Sequence, residues 1–191
     1  MKISLVRHGK SLHAVNDKMN SVQFAKWVDD YNKKSVKEEK SYPHNTVYEM
    51  SRAHFVVTSD LIRSIESANL LQSGKKVYTS LLYREVEMPL FPWKLKGFKL
   101  KPTTWSVLLR ISWLLGYSRE CESYKQARKR AVQAVDELER FANKYESVIF
   151  IGHGFFNRFI AKELQKRGWT GSKSPSRVHW GCSTYLKDHS H

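Results

Sequence analysis

Two apolar runs in this chain each lead directly into a histidine followed by glycine. That repeat limits the fold more than any other feature. Ile3-Ser4-Leu5-Val6 runs into Arg7-His8-Gly9, and Ser147-Val148-Ile149-Phe150-Ile151 runs into Gly152-His153-Gly154. A short, partly β-branched apolar run bounded by a turn signal is the pattern of a buried strand. Helical patterns separate such runs. Ser21–Tyr31 carries Val22, Ala25, Trp27 and Val28 with Ser21 as N-cap, and His54–Thr58 is a further buried strand. A helix capped by Ser59 or Asp60 then continues to about Leu71, with Leu61, Ile65, Ala68 and Leu71 on one face, and Gly74 ends it. Val77–Ser80 is a short strand and Leu81–Glu87 an extended segment. Helices follow over Trp105–Leu115, Glu122–Tyr145 (stripe Ala131, Val135, Leu138, Phe141) and Phe155–Arg167, with strands at Ser147–Ile151 and Ser183–Leu186. Lys33–Asn45 is read as an exposed connection. Strands alternating with helices predict an α/β fold with a mostly parallel central sheet. Ligands bind such sheets beyond the carboxyl ends of their strands, where both histidine clusters fall.

The length of 191 residues suits one domain spanning 1–191. With 41% hydrophobic and 27% charged residues, the chain is neither disordered nor fibrous. Its 33 Lys and Arg against 18 Asp and Glu give a formal charge of +15, so its partners are expected to be anionic. Cys121 and Cys182 are too few for a disulfide framework and lack metal-ligand spacing, so both are read as reduced thiols in a cytoplasmic protein. The most lipid-like stretch, Trp105–Tyr117, is interrupted by Arg110 and falls short of a bilayer span. The chain is therefore expected to be soluble or, at most, to lie on a surface.

Four clusters can carry chemistry. A His–Gly turn after a buried strand leaves an imidazole at the mouth of the sheet, and the pattern occurs twice. Arg63 lies in the first turn of a helix that starts at a strand's carboxyl end, so its guanidinium fork can reach the same crevice and grip phosphate oxygens. In Tyr83-Arg84-Glu85-Val86-Glu87, the two carboxylates would share one side of an extended strand, and one of them can serve as a proton donor.

Together, Leu5-Val6-Arg7-His8-Gly9-Lys10-Ser11, Ser59-Asp60-Leu61-Ile62-Arg63-Ser64-Ile65-Glu66-Ser67-Ala68, Arg84-Glu85 and Gly152-His153-Gly154 resemble the histidine phosphatase superfamily, the phosphoglycerate mutase-like family. The likeness runs from Lys2 to about Leu164. It implies a three-layer α/β/α sandwich with a lid insertion over approximately 88–117. It also implies a metal-independent phosphomonoesterase, of the histidine acid phosphatase kind, with no cofactor. In that scheme His8 forms a phosphohistidine, and Arg7, Arg63 and His153 hold the phosphoryl group. Ser11 and Arg84 are further substrate contacts, and Glu85 is the general acid/base, with Glu87 as runner-up. An acceptor on the second ring nitrogen of His8, such as a local backbone carbonyl, would fix its tautomer. Backbone N–H groups after Gly154 could add to phosphate binding. Many relatives carry an Asn where this chain has His13 and Ala14, and Asn16 is the nearest substitute. The expected substrate is a phosphorylated small molecule or a phosphoprotein. Alternatives are a phosphate-binding scaffold with little turnover, or a mutase-type phosphotransferase, for which the chain is short.

Three features fall outside this scheme. Phe91, Trp93 and Phe98 interleave with Lys94, Lys96, Lys99 and Lys101. They are read as a packed lid with a solvated basic rim, with polyanion recruitment or single-strand nucleic-acid stacking as alternatives; nucleic acid is not the expected partner. Arg128-Lys129-Arg130 is read as a solvated face. His179, His189 and His191 are read as structural or tail residues.

Overall fold

Apolar side chains alternate to both sides of the central strands, and this produces three layers. The computed structural model describes residues 1–71, 74–90 and 98–188. Strands β1 (Lys2–Arg7), β2 (Phe55–Ser59), β3 (Val77–Ser80), β4 (Ser147–Gly152), β5 (Thr170–Gly171) and β6 (Cys182–Leu186) form one sheet in the order β3-β2-β4-β1-β6-β5. The first four pair in parallel, and β6 and β5 close one edge antiparallel. On one face Ile3, Leu5, Val57, Val148 and Phe150 pack against α5 (Tyr124–Tyr145) and α6 (Phe156–Lys166). On the other face Val6, Val56, Ile149 and Ile151 meet Met50 of α2 (His44–Arg52) and Ala68 of α3 (Ile62–Leu71).

α1 (Ser21–Asn32) and α4 (Pro102–Leu114) build a separate cluster from Met19, Phe24, Trp105 and Leu109. The N-cap of α1 is Asn20, not Ser21. Asn20 Oδ1 accepts from Gln23 N, and Asn20 N donates to Gln23 Oε1, a reciprocal capping box. The expected connection over 33–45 is partly structured. Val36 is buried, Leu12 N and Lys37 N donate to the Ser35 and Lys10 carbonyls, and α2 starts at His44. Leu81–Tyr83 is a 3-10 turn rather than extended chain. Phe91, Trp93, Lys94, Lys96, His189 and His191 lie outside the described residues.

Strand register sets the site. In the β1–β4 pair Arg7 lies opposite Gly152, so His8 and His153 leave neighbouring strands side by side. In the β2–β4 pair Thr58 lies opposite Ile151, which brings Ser59 and the start of α3 to the same end.

Candidate active site

His8 and His153 are buried, with ring centroids 5.1 Å apart. His8 Nδ1 lies 2.7 Å from the Gly9 carbonyl oxygen, which can only accept, so Nδ1 carries the proton and Nε2 the free lone pair. Burial, and then the Arg63 charge, hold the His8 pKa well below the ordinary histidine value. His153 is depressed in the same way, by burial and then by Arg63 and His8. Its Nε2 is 2.7 Å from Ser59 Oγ and 3.4 Å from Ser64 Oγ. Ser59 Oγ accepts from Leu61 N at 3.4 Å and is free to donate to that Nε2, an arrangement that leaves a proton on His153 Nδ1.

The two arginines approach from either side. Arg63 is buried. Its Nη1 donates to Asn32 Oδ1 at 2.9 Å, and its guanidinium lies 4.8 Å from the Tyr31 ring centre. Arg7 donates from Nη1 to the Arg177 carbonyl. Arg7 Nε, Arg63 Nε and His153 Nδ1 are buried and have no partner in the fold. Three polar nitrogens from β1, α3 and the end of β4 are thus left over at one end of the sheet. Buried polar groups normally find hydrogen-bond partners, so such a set calls for an acceptor-rich anion.

Glu85 is held differently. Its Oε1 accepts from Phe156 N (2.8 Å) and Val86 N (3.0 Å), and its Oε2 accepts from Phe155 N (3.1 Å). The N–H groups at the start of α6, expected to face phosphate, are therefore spent on Glu85. The carboxylate still acts electrostatically on Arg63 and on Arg110. Two arginines brace the chain around it. Arg130 Nη1 donates to the Leu82 and Arg84 carbonyls, and Arg110 Nη2 donates to the Val86 carbonyl, each at 2.8 Å. Arg130 also pairs with Glu122 and covers the Phe156 ring at 3.9 Å, so it is not part of a solvated face.

The remaining expected contacts are occupied or exposed. Arg84 forms a two-pronged ion pair with Asp60, at 2.7 and 2.5 Å. Ser11 Oγ accepts from His13 N at 3.1 Å. Glu87 is exposed, and so is Asn16; the amide beside Arg63 comes from Asn32. His179, read as structural, stands against the site: its ring centre is 5.5 Å from that of His8, and its Nδ1 donates to the His8 carbonyl at 2.9 Å. Tyr31, Asn32 and His179 carry no local sequence signal. Ser59 and Ser64 lie inside the stretch that carries Arg63. Among the described residues no group of three or more His, Cys, Asp and Glu side chains is arranged to hold a metal ion.

Depressed histidine pKa values couple stability to pH. Above the ordinary value of 6.5 both His8 and His153 are neutral whether the chain is folded or not. Below it the unfolded chain takes up protons that the folded chain refuses, so stability falls with acid by up to about 1.4 kcal/mol per pH unit for each group. Ring-nitrogen NMR is expected to show both histidines untitrated as the pH passes down through 6.5; midpoints near 6.5 would remove this contribution.

A mostly parallel α/β sheet gathers two imidazoles and two guanidiniums beyond its strand ends, an arrangement with the donors and charge to receive an oxyanion. The chain belongs to the histidine phosphatase superfamily (branch 1), whose family model matches residues 3–175. No curated protein matches it by sequence. Among solved structures it is similar to the mycobacterial glucosyl-3-phosphoglycerate phosphatase, at 17% identity and TM-score 0.56 over 86% of this chain and 79% of that one. A protein from Thermus thermophilus matches at 17% identity and TM-score 0.56, over 98% of both chains. A candidate alpha-ribazole-5'-P phosphatase from Escherichia coli matches at 16% identity and TM-score 0.53, over 85% of this chain and 78% of that one. At these identities the likeness speaks for the fold.

Proposed function

We propose that this protein is a metal-independent phosphomonoester hydrolase that works through a phosphohistidine on His8. One observation carries the reading: the Gly9 carbonyl holds the Nδ1 proton of a buried, neutral His8, leaving Nε2 nucleophilic beside Arg63 and His153. The Nε2 lone pair attacks phosphorus and the ester P–O bond breaks, giving a phosphohistidine whose charged ring keeps its bond to the Gly9 carbonyl. Arg7 Nε, Arg63 Nε and His153 Nδ1 stabilise the equatorial oxygens as charge builds. Glu85, as general acid, passes a proton to the leaving oxygen. It then takes one from water, whose oxygen attacks phosphorus as the N–P bond breaks, and both groups return to their starting states. To do this its carboxyl releases one of the three backbone donors that it holds at rest.

The acid assignment has its own test. Glu85→Gln is expected to lower kcat on an alkyl phosphate by about 10²- to 10⁴-fold, and by less on a nitrophenyl phosphate, whose leaving oxygen needs no proton. Glu87→Gln should leave both rates unchanged. Equal losses on the two substrates, or a loss in Glu87→Gln alone, would move the role away from Glu85. The second reading, a phosphate-binding module with little turnover, draws on the capping of α6 by Glu85. Phosphate binding without hydrolysis of any phosphomonoester in a panel of sugar phosphates, nucleotides and phosphopeptides would select it.

A further inference from the structure

Helix α4 is apolar on both sides. Its inner face, Trp105, Leu109 and Trp113, is buried. Its outer face should carry polar residues if it simply met water. Instead Val107, Leu108, Ile111, Leu114 and Leu115 are 57, 42, 50, 52 and 84% exposed. They follow one another at helical spacing and form one continuous stripe. Single exposed apolar residues need no explanation, but a contiguous patch of large ones marks a contact surface.

Charge indicates what covers it. Of the cations over 98–119, Arg110 is turned inward to the Val86 carbonyl and Arg119 pairs with Glu120 at 3.5 Å, so Lys99 and Lys101 carry the outward charge. Lys99 and Lys101 are exposed immediately before the first turn of α4, beside the exposed Phe98. The whole chain carries +15. Two copies of a chain carrying +15 repel one another, which disfavours a second copy on this face. At 13 residues the helix is too short to cross a bilayer, and no helix among the described residues is long and apolar enough to do so. An exposed apolar stripe with lysines at one end combines the two contributions, buried apolar area and attraction to anionic lipid, that hold a peripheral protein at a membrane interface.

We propose that the outer face of α4 docks this protein onto an anionic lipid surface, with the apolar stripe in the headgroup–acyl boundary and Lys99 and Lys101 on the headgroups. The proposal stands apart from the phosphatase reading, since no residue of the stripe belongs to the His8 site. The inner side of the same helix is tied to the Glu85 segment through the bond from Arg110 to the Val86 carbonyl, so docking would hold the site close to the surface.

The test is flotation of the full chain with vesicles of equimolar phosphatidylserine and phosphatidylcholine, and with phosphatidylcholine alone. Binding is expected to the anionic vesicles, to weaken with added salt, and to be far weaker on the neutral ones. The double variant Ile111→Glu/Leu115→Glu, at exposed positions, is expected to bind at least about tenfold less tightly while keeping its thermal midpoint. Lys99→Glu/Lys101→Glu, which leaves the stripe intact, should lose the preference for phosphatidylserine. Failure to bind, equal binding to both vesicles, or binding that survives both variants would overturn the proposal. A concentration-dependent dimer abolished by Ile111→Glu/Leu115→Glu would give the face to a second copy and overturn it equally.

Discussion

Replacing His8 with alanine is expected to reduce the hydrolysis of an aryl phosphate by at least about 10⁴-fold, because the variant lacks the atom to which the proposed mechanism assigns the covalent intermediate. The expectation rests on more than side-chain identity. His8 Nε2 is the only nitrogen of its ring left with a lone pair, since Nδ1 is committed to the Gly9 carbonyl. Burial and Arg63 keep the ring neutral, so the nucleophile does not have to be deprotonated first. Removing Arg63 or His153 would weaken oxyanion stabilisation but leave that nucleophile in place, so each should cost less than His8→Ala. Steady-state rates on one aryl phosphate, with the thermal midpoint of each variant as a folding control, give the ranking. A His8→Ala protein that is folded and turns over at the normal rate would remove His8 from the chemistry.

The second large effect concerns the turn itself. A Cβ on Gly9 would lie 2.1 Å from Trp180 Cζ2 and 2.6 Å from Cε2, well inside contact distance. Trp180 cannot simply step aside. Its backbone is fixed, since the main-chain N–H donates to the Arg7 carbonyl at 2.9 Å and the carbonyl accepts from Thr46 Oγ1 at 2.5 Å, and its indole is buried against the Tyr42 ring at 4.8 Å. Gly9→Ala is therefore expected to destabilise by about 3 kcal/mol, at the upper end for an overpacked site. For a chain of this length that lowers the thermal midpoint by roughly 10 °C. Activity should fall as well, since the carbonyl that holds His8 Nδ1 belongs to the displaced residue. Gly154→Ala is the control, because its Cβ would meet the Arg7 side chain at 3.1 Å rather than a buried indole. It should lose activity with a smaller stability cost. Equal midpoints for Gly9→Ala and the unmodified protein would mean that Trp180 does not pack on this turn in solution.

Both expectations trace back to features that could be seen in the sequence. β1 and β4 are legible because apolar and β-branched residues run unbroken to a His–Gly turn, and their parallel register follows once both are buried. The Arg63 helix is legible because its stripe and its start are local. Other parts of the site are not, for physical reasons. Tyr31 and Asn32 sit at the last turn of an amphipathic helix and meet Arg63 only through tertiary packing. His179 reaches His8 across 171 residues. Arg130 lies in a basic run that, read alone, looks solvated, whereas Glu122 and the carbonyls around Leu82 draw it inward. Helix α2 escapes notice because its short, polar sequence follows Pro43 and buries only Thr46, Glu49 and Met50. Glu85 is the instructive case. Its position after β3 marks it as a candidate acid, while its role as the cap of α6 depends on the N–H groups of Phe155 and Phe156, seventy residues away.

A covalent intermediate is the claim on which the chemistry turns, and it can be measured directly. The protein is mixed with an aryl phosphate, quenched in alkali during turnover, digested, and its phosphorylated peptide identified by mass spectrometry. The account predicts an acid-labile, alkali-stable phosphate on His8, linked through Nε2. An enzyme that turns over yet carries no such phosphate, or carries it on a different residue, would contradict it.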